Sequence, residues 1–507
     1  MPSNERTYIT RVGASSPGAG QAAVDVLTDP ALAHIVDLVA WPRDGWLTVA
    51  NSEGSARVPL ANPEAPWQVL RGRNPITDEN PLHGVPLARA LADPSPPNSR
   101  NSYPFAGPRL ASVFEDPDRS PDLVVVHTPG HYWPERGGHP GEHGSLDAGQ
   151  SRAPLLLSGP GVTSQGRLDR AARIIDVSPT LAMLAGAPMP TAVGQPLADL
   201  CGGGLADYVI GLLWDGANCN DLLEQAATGA LPAVARLLDR GCALTGGAVA
   251  EFPSVTLTNH TSALTGVGPG RHGILSNVYF DRAIADQVIA NDAKTWHRAC
   301  DQLRPGVQTV FEAVAAARPG IVTACVNEPI DRGAGYSTFG LVRAMASEGG
   351  ANGLADHLPP AEGDPHATAE WVERDHHYGW STRVDALGLD QIRKLWADPS
   401  GPPALTWWNT TLTDTGHHGG GPYSSESRAA LADADRRLGA FLDLLDVANL
   451  YDRTTFLLTA DHGSEGADPT CRGDWDDALT AAGVRFRDEG YGFLYLDDLD
   501  AGPVAPR

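Results

Sequence analysis

The sequence predicts an α/β fold in which a mostly parallel central sheet is flanked by helices on both faces. Two patterns carry that expectation. Short apolar runs of buried-strand character recur at residues 36–40, 123–126, 154–157, 208–213, 321–326, 404–408 and 455–458. Helical periodicity lies between several of them, most clearly at 231–240, 310–317 and 425–445, the last with Leu431, Leu438, Phe441, Leu442 and Leu445 on one stripe. Strand and helix alternating in this way build a sheet covered by helices.

Other elements are read one by one. Residues 44–49 followed by 55–58 read as a hairpin at the periphery of that sheet. Cys201-Gly202-Gly203-Gly204 is the best linker, dividing a front segment, 1–200, from a rear segment, 205–507. The stretch from about 280 to 400 has few clear strands and contains the loop-like Ser347-Glu348-Gly349-Gly350, so a cap or insertion is expected there. No internal repeat is evident.

Composition narrows the class. A chain of 507 residues with 42% hydrophobic and 19% charged residues can bury a sizeable core, and its 56 Gly and 42 Pro belong to loops. With 61 acidic against 37 basic residues the formal charge is −24, which repels a polyanion and argues against nucleic acid as a partner. A small phosphate ester held by cations is compatible with that charge, because bound cations invert the local field. The N-terminal stretch lacks a basic-then-apolar leader and no apolar run is long enough to cross a bilayer, so the expectation is a cytoplasmic protein with no membrane partner. The six cysteines have no CxxC spacing, which argues against a zinc ribbon or a disulfide scaffold. Oligomeric state is not legible.

Three signals carry chemistry, the last of them in two segments. The apolar run 208–213 ends at Asp215-Gly216, and carboxylates at strand C-termini are where α/β enzymes place metal ligands. Alone, Asp-Gly is only a turn. Downstream stand Phe252-Pro253-Ser254-Val255-Thr256-Leu257-Thr258-Asn259-His260 and then Arg271-His272-Gly273-Ile274-Leu275-Ser276-Asn277. A threonine opening a helix has an ordinary use as an N-cap, for which Thr258 competes. It also has a chemical one, since helix N-terminal N–H groups and the helix dipole stabilise an alkoxide and a bound phosphate. The third signal is a pair of acid-and-histidine clusters, Asp461-His462-Gly463 after the run 455–458 and Asp414-Thr415-Gly416-His417-His418-Gly419 after 404–408. Tandem histidines among glycines would otherwise be a solvated loop.

Taken together these segments resemble the nucleotide pyrophosphatase/phosphodiesterase branch of the alkaline phosphatase superfamily. The resemblance implies an alkaline-phosphatase-like sandwich, with Thr256 as nucleophile and Asn277 as a phosphoryl-oxygen ligand beside the Thr256 N–H. It implies one metal held by Asp215, Asp461, His462 and Thr256, and another by Asp414, His418 and His143. Asp414 with His418 keeps the family's spacing, while the Gly-His pair would favour His417. His143 lies in Gly141-Glu142-His143-Gly144, and His127, His131 and His139 are competitors for its place. Two divalent cations, zinc by the mixed imidazole and carboxylate set or else manganese, would activate the nucleophile and steady the leaving oxygen.

The order of the segments is unusual. In the resembling family the last metal-binding histidine follows the Asp-His-Gly cluster, whereas here the matching series, from His143 through 152–161 to 175–181, lies at the front. The resemblance therefore implies a circular permutation in which both segments form one catalytic domain, rather than two separate domains. The expected activity is hydrolysis of a phosphodiester or pyrophosphate bond of a small molecule through a phospho-threonine intermediate. Phosphomonoesterase and phosphonate hydrolase are the rivals on the same site. A sulfatase would need a Cys-x-Pro-x-Arg pattern that is absent. A non-catalytic, metal-binding pseudoenzyme is the rival from another class.

Overall fold

The apolar run at 208–213 becomes the strand Tyr208–Trp214, buried after its first residue. The computed structural model describes residues 17–76, 78–83, 102–134, 137–202, 204–347, 354, 358 and 376–496. Residues 1–16 of the N-terminal stretch, Gly203 of the linker and Glu348, Gly349 and Gly350 of the loop-like run lie outside the described residues.

Tyr208–Trp214 runs parallel to Leu405–Thr410 on one side and Thr454–Thr459 on the other, and Thr323–Val326 and Tyr336–Ser337 continue the parallel run past Leu405–Thr410. Past Thr454–Thr459 the sheet turns antiparallel: Arg152–Ser158, from the front segment, lies between Thr454–Thr459 and Gly241–Val249. Two short strands, Gly166–Leu168 and Ala172–Arg173, run parallel to Gly241–Val249 and complete a nine-stranded, mixed and mostly parallel sheet. Two groups of helices pack on it. Val177–Leu184 joins Thr256–Thr265 and Val310–Ala317 in one, and Pro232–Leu238, His376–Trp396, Leu412–Gly420 and Ser425–Val447 form the other. The stretch expected to be a cap contributes Thr323–Val326 to the sheet itself.

The runs at 36–40 and 123–126 and the hairpin differ from expectation. They belong to a second, seven-stranded sheet that is antiparallel throughout, ordered Arg487–Glu489, Phe493–Tyr495, Leu123–His127, Val36–Arg43, Trp46–Ala50, Gly54–Pro59, Gln68–Gly72. Within it, Asp44 and Gly45 have positive φ, 49° and 78°, the two-residue turn that folds Trp46–Ala50 back beside Val36–Arg43. The six cysteines are all free thiols. Among the described residues no helix is long and apolar enough to cross a membrane.

Candidate active site: two metal-ligand groups beside a helix N-terminus

Sheet register assembles the site. Leu213 pairs with Thr459, so Asp215 and Asp461 emerge side by side from two parallel strands, at the carboxyl end where open α/β sheets hold their ligands. Leu405–Thr410, the other neighbour, leads into the helix Leu412–Gly420, so the histidines do not lie in the solvated loop that was their alternative. Gly416 suits that helix because a Cβ on it would lie 2.5 Å from Ala430 Cβ of the packed helix Ser425–Val447. Of the tandem histidines, His418 stands at i+4 from Asp414 on one helix face and falls in one ligand group with it and His143, whereas His417, with Nδ1 on the Thr413 carbonyl at 2.6 Å, falls in neither ligand group. His143 arrives from the front segment beside the short strand Gly141–Glu142, which pairs with Glu465–Gly466. Of its competitors, His127 and His131 pack with Trp133, and His139 packs against the His418 ring.

Two groups of ligand-type atoms result, one from His143, Asp414 and His418 and the other from Asp215, Asp461 and His462, each within 4.8 Å. In the first, His143 Nε2 lies 3.2 Å from His418 Nε2 and 3.8 Å from Asp414 Oδ1, and His418 Nε2 lies 3.5 Å from Asp414 Oδ2. In the second, His462 Nε2 lies 3.1 Å from Asp461 Oδ2 and 3.8 Å from Asp215 Oδ1. Donors about 2.1 Å from a four-coordinate ion stand roughly 3.4 Å apart, so these spacings suit a shared cation. The groups adjoin: the His143 and His462 rings stack with centroids 3.7 Å apart.

All three imidazoles are oriented alike. Nδ1–H of His143, His418 and His462 donates to the carbonyls of Ser254, Gly141 and Gly463 at 2.8–2.9 Å, which leaves each Nε2 lone pair facing its group. Buried Asp215 Oδ1, Asp461 Oδ2 and His462 Nε2 have no hydrogen-bond partner, a costly arrangement unless a cation is shared among them. The titration shifts agree. Burial, then the charge of Asp461, pushes the Asp215 carboxyl up to about 8. Burial also acts to raise Asp461, yet His462 and then His260 hold it down to about 2. Burial, then the neighbouring His462, drives His143 well below the usual imidazole range. On all three counts the residues fit two divalent cations.

Thr256 opens the helix Thr256–Thr265, all of it buried. The N-cap position belongs to Val255, whose side chain makes no capping bond, so neither Thr256 nor Thr258 is spent as a cap. Asn277 caps instead: its Oδ1 accepts the Leu257 N–H at 3.0 Å. That bond sets the amide's orientation and leaves Nδ2 without a bond to a described residue. Thr256 and Asp215 line one pocket with about 320 Å³ of open space, together with Trp296, Phe339, Val384, Asn327 and Asn409.

Two residues escaped sequence reading. His260 Nε2 lies 3.6 Å from both Asp215 Oδ2 and Asp461 Oδ2, and its Nδ1 lies 2.8 Å from buried Glu328 Oε2. His260 could have been found, since it stands four residues after Thr256 on one helix face. Glu328 follows a strand end by two positions and carries no motif.

A sequence model of the family described as type I phosphodiesterase / nucleotide pyrophosphatase matches residues 209–504, more than half of the chain. Among solved structures, the chain is similar to murine ectonucleotide pyrophosphatase/phosphodiesterase 5 in an inactive form with AMP, at 16% identity over 51% of this chain and 57% of that one, TM-score 0.33. It is similar to phosphonoacetate hydrolase from Sinorhizobium meliloti 1021 with phosphonoformate, at 22% identity over 51% and 57%, TM-score 0.33. The human ectonucleotide pyrophosphatase/phosphodiesterase 5 follows at 14% identity over 50% and 57%, TM-score 0.33. The chain thus spans 57% of the length of each of these structures, a likeness that bears on neither substrate nor activity. With more than half of its length matched by the family's own sequence model, the chain belongs to the type I phosphodiesterase / nucleotide pyrophosphatase family.

Proposed function

We propose that this protein is a metal-dependent hydrolase that cleaves a phosphodiester or pyrophosphate bond of a small molecule through a phospho-threonine at Thr256. The observation that carries the reading is the convergence of two His/Asp groups with a pocket that also holds a threonine at a buried helix N-terminus. Asp215, Asp461 and His462, with the Thr256 oxygen, would hold one cation, and His143, Asp414 and His418 the other. Zinc suits the mixed imidazole and carboxylate donors best. Bound there, such ions supply Lewis acidity and positive charge at a reacting phosphoryl group.

The chain's own residues do the rest. Thr256 Oγ1 attacks phosphorus, its bond to phosphorus forms, and the bond to the leaving oxygen breaks with the electron pair going to that oxygen. The proton Thr256 gives up passes by way of solvent to the leaving oxygen; water then attacks phosphorus, the Oγ1–P bond breaks, one water proton returns to Oγ1 to regenerate the hydroxyl, and the water oxygen stays on the released phosphate. Asn277 Nδ2 and the Thr256 N–H donate to the non-bridging oxygens, and the start of the helix favours their negative charge. Among the described residues lining the pocket none is Lys or Arg, and Trp296 and Phe339 present aromatic surface. That wall favours an uncharged, aromatic or apolar ester group over the second phosphoryl charge of a monoester.

We also read the chain as one catalytic domain in circularly permuted order. Two features support it: a front-segment strand lies inside the rear segment's sheet, and Phe493–Tyr495 lies beside Leu123–His127. A cytoplasmic setting is part of the same proposal. The test is hydrolysis of a bis-aryl phosphate and an aryl monoester by zinc-loaded protein. Chelator-sensitive diester turnover is expected. A monoester preference would overturn the substrate class, and no turnover of either would favour a pseudoenzyme.

A further inference from the structure

His260 has no role in the proposed chemistry, yet the structure surrounds it with an unusually complete buried network. Its carboxylate partner, Glu328, is fully buried and fully satisfied: Oε1 accepts the Ile330 N–H at 3.0 Å, and Oε2 accepts Trp407 Nε1–H at 3.0 Å and His260 Nδ1–H at 2.8 Å. The opposite ring nitrogen, Nε2, is buried without a hydrogen-bond partner and lies 3.6 Å from one oxygen each of Asp215 and Asp461.

The carboxylate oxygens divide into held and open ones. Asp461 Oδ1 accepts the Gly216 N–H at 2.9 Å, while Asp461 Oδ2 is open toward His462. Asp215 Oδ1 is likewise open toward His462 and has no hydrogen-bond partner, while Asp215 Oδ2 faces His260. A polar group set against one carboxylate oxygen limits how far the other can turn from a shared ion, as outer-shell partners of metal ligands do, and His260 Nε2 stands against Asp215 Oδ2 at 3.6 Å. With Nδ1 taken by Glu328, Nε2 is the ring atom that faces Asp215 and Asp461.

We infer that His260, braced by Glu328 and Trp407, is a positioning residue that turns Asp215 toward the ion of the Asp215, Asp461 and His462 group. The inference rests on the two-metal reading above, and its test separates the two. Zinc affinity is measured by chelator competition on the full chain for wild type, His260→Leu, Glu328→Gln and His418→Ala, with circular dichroism to verify folding. Wild type should bind two ions. His418→Ala should keep the ion of the Asp215 group, and adding His260→Leu or Glu328→Gln to it should weaken that ion about 10–100-fold. In the otherwise wild-type chain the same two substitutions should weaken one ion and spare the other, a split that a general loss of packing would not produce. Trp407→Phe, which removes only the Nε1–H brace, should weaken the same ion less and serves where His260→Leu does not fold. Two ions bound at wild-type affinity in these variants would overturn the inference and leave the two-metal reading standing, as would equal loss of both ions. A wild-type chain that binds no zinc would overturn both.

Discussion

Asn277 does two jobs with one amide, and they can be pulled apart. Its Oδ1 caps the helix Thr256–Thr265 at Leu257, and in the proposed mechanism its Nδ2 is the donor to substrate. Asn277→Asp keeps the acceptor and loses the donor; Asn277→Ala loses both. Both variants should lower kcat by about 10²–10³-fold, while Ala alone should cost about 1 kcal/mol of stability for the lost cap. Thermal melts beside kinetics check this, and an Asp variant with full activity would remove the donor role. His272, in the same motif, is structural. Its Nδ1 accepts the Ile274 N–H at 3.1 Å and its Nε2–H donates to Ser262 Oγ at 3.0 Å, and burial pushes its pKa down to about 3 from 6.5. Because the folded value is depressed, the unfolded chain binds the extra proton first. His272 therefore contributes stability at neutral pH that is lost as pH falls from 6.5 toward 3, at about 1.4 kcal/mol per unit. Urea melts across that range should show a shallower acid decline in His272→Gln, and parallel declines would contradict the assignment.

Turns and helix starts fix where those residues sit. Gly216 leaves the strand Tyr208–Trp214 with φ 65°, donates its N–H to Asp461 Oδ1, and would place a Cβ only 2.6 Å from Asp414 Oδ1. One backbone position thus touches a ligand of each group. Gly216→Ala should expel Asp414 and strain the turn, costing at least about 1 kcal/mol and lowering metal content below that of wild type; full occupancy would show that the turn is slack. At this scale much was readable. The strand runs in the rear segment and the helices at 310–317 and 425–445 match elements of the structure, because their periodicity reflects burial. Gly241–Val249 was not readable: Gly246 and Gly247 dilute its apolar pattern, and a bulge between Leu244 and Ala248 breaks its alternation. The helix at Leu412–Gly420 was hidden for a related reason, since its glycines serve close packing rather than a loop.

Across the whole molecule, front and rear segments complete each other's sheets. Arg152–Ser158 separates Thr454–Thr459 from Gly241–Val249, and Leu123–His127 joins Val36–Arg43 to Phe493–Tyr495. Chains of 1–202 and 205–507 made apart should each expose unpaired strand edges and aggregate, and neither should hold two ions. A soluble monomeric 205–507 that binds two ions in gel filtration and metal analysis would contradict this. The motif residues stood out in the sequence because of their neighbours: Asp215 and Asp461 follow apolar strands, and Thr256 opens a helix. Which sheet each strand joined was not, because that depends on pairings between distant segments. The most direct test of the account is turnover of a bis-aryl phosphate diester by zinc-loaded Thr256→Ala beside wild type, with bound metal measured in both. The account predicts chelator-sensitive turnover in wild type that falls by at least about 10³-fold in the variant, with the metal of the His143, Asp414 and His418 group retained. Turnover preserved in Thr256→Ala would contradict it.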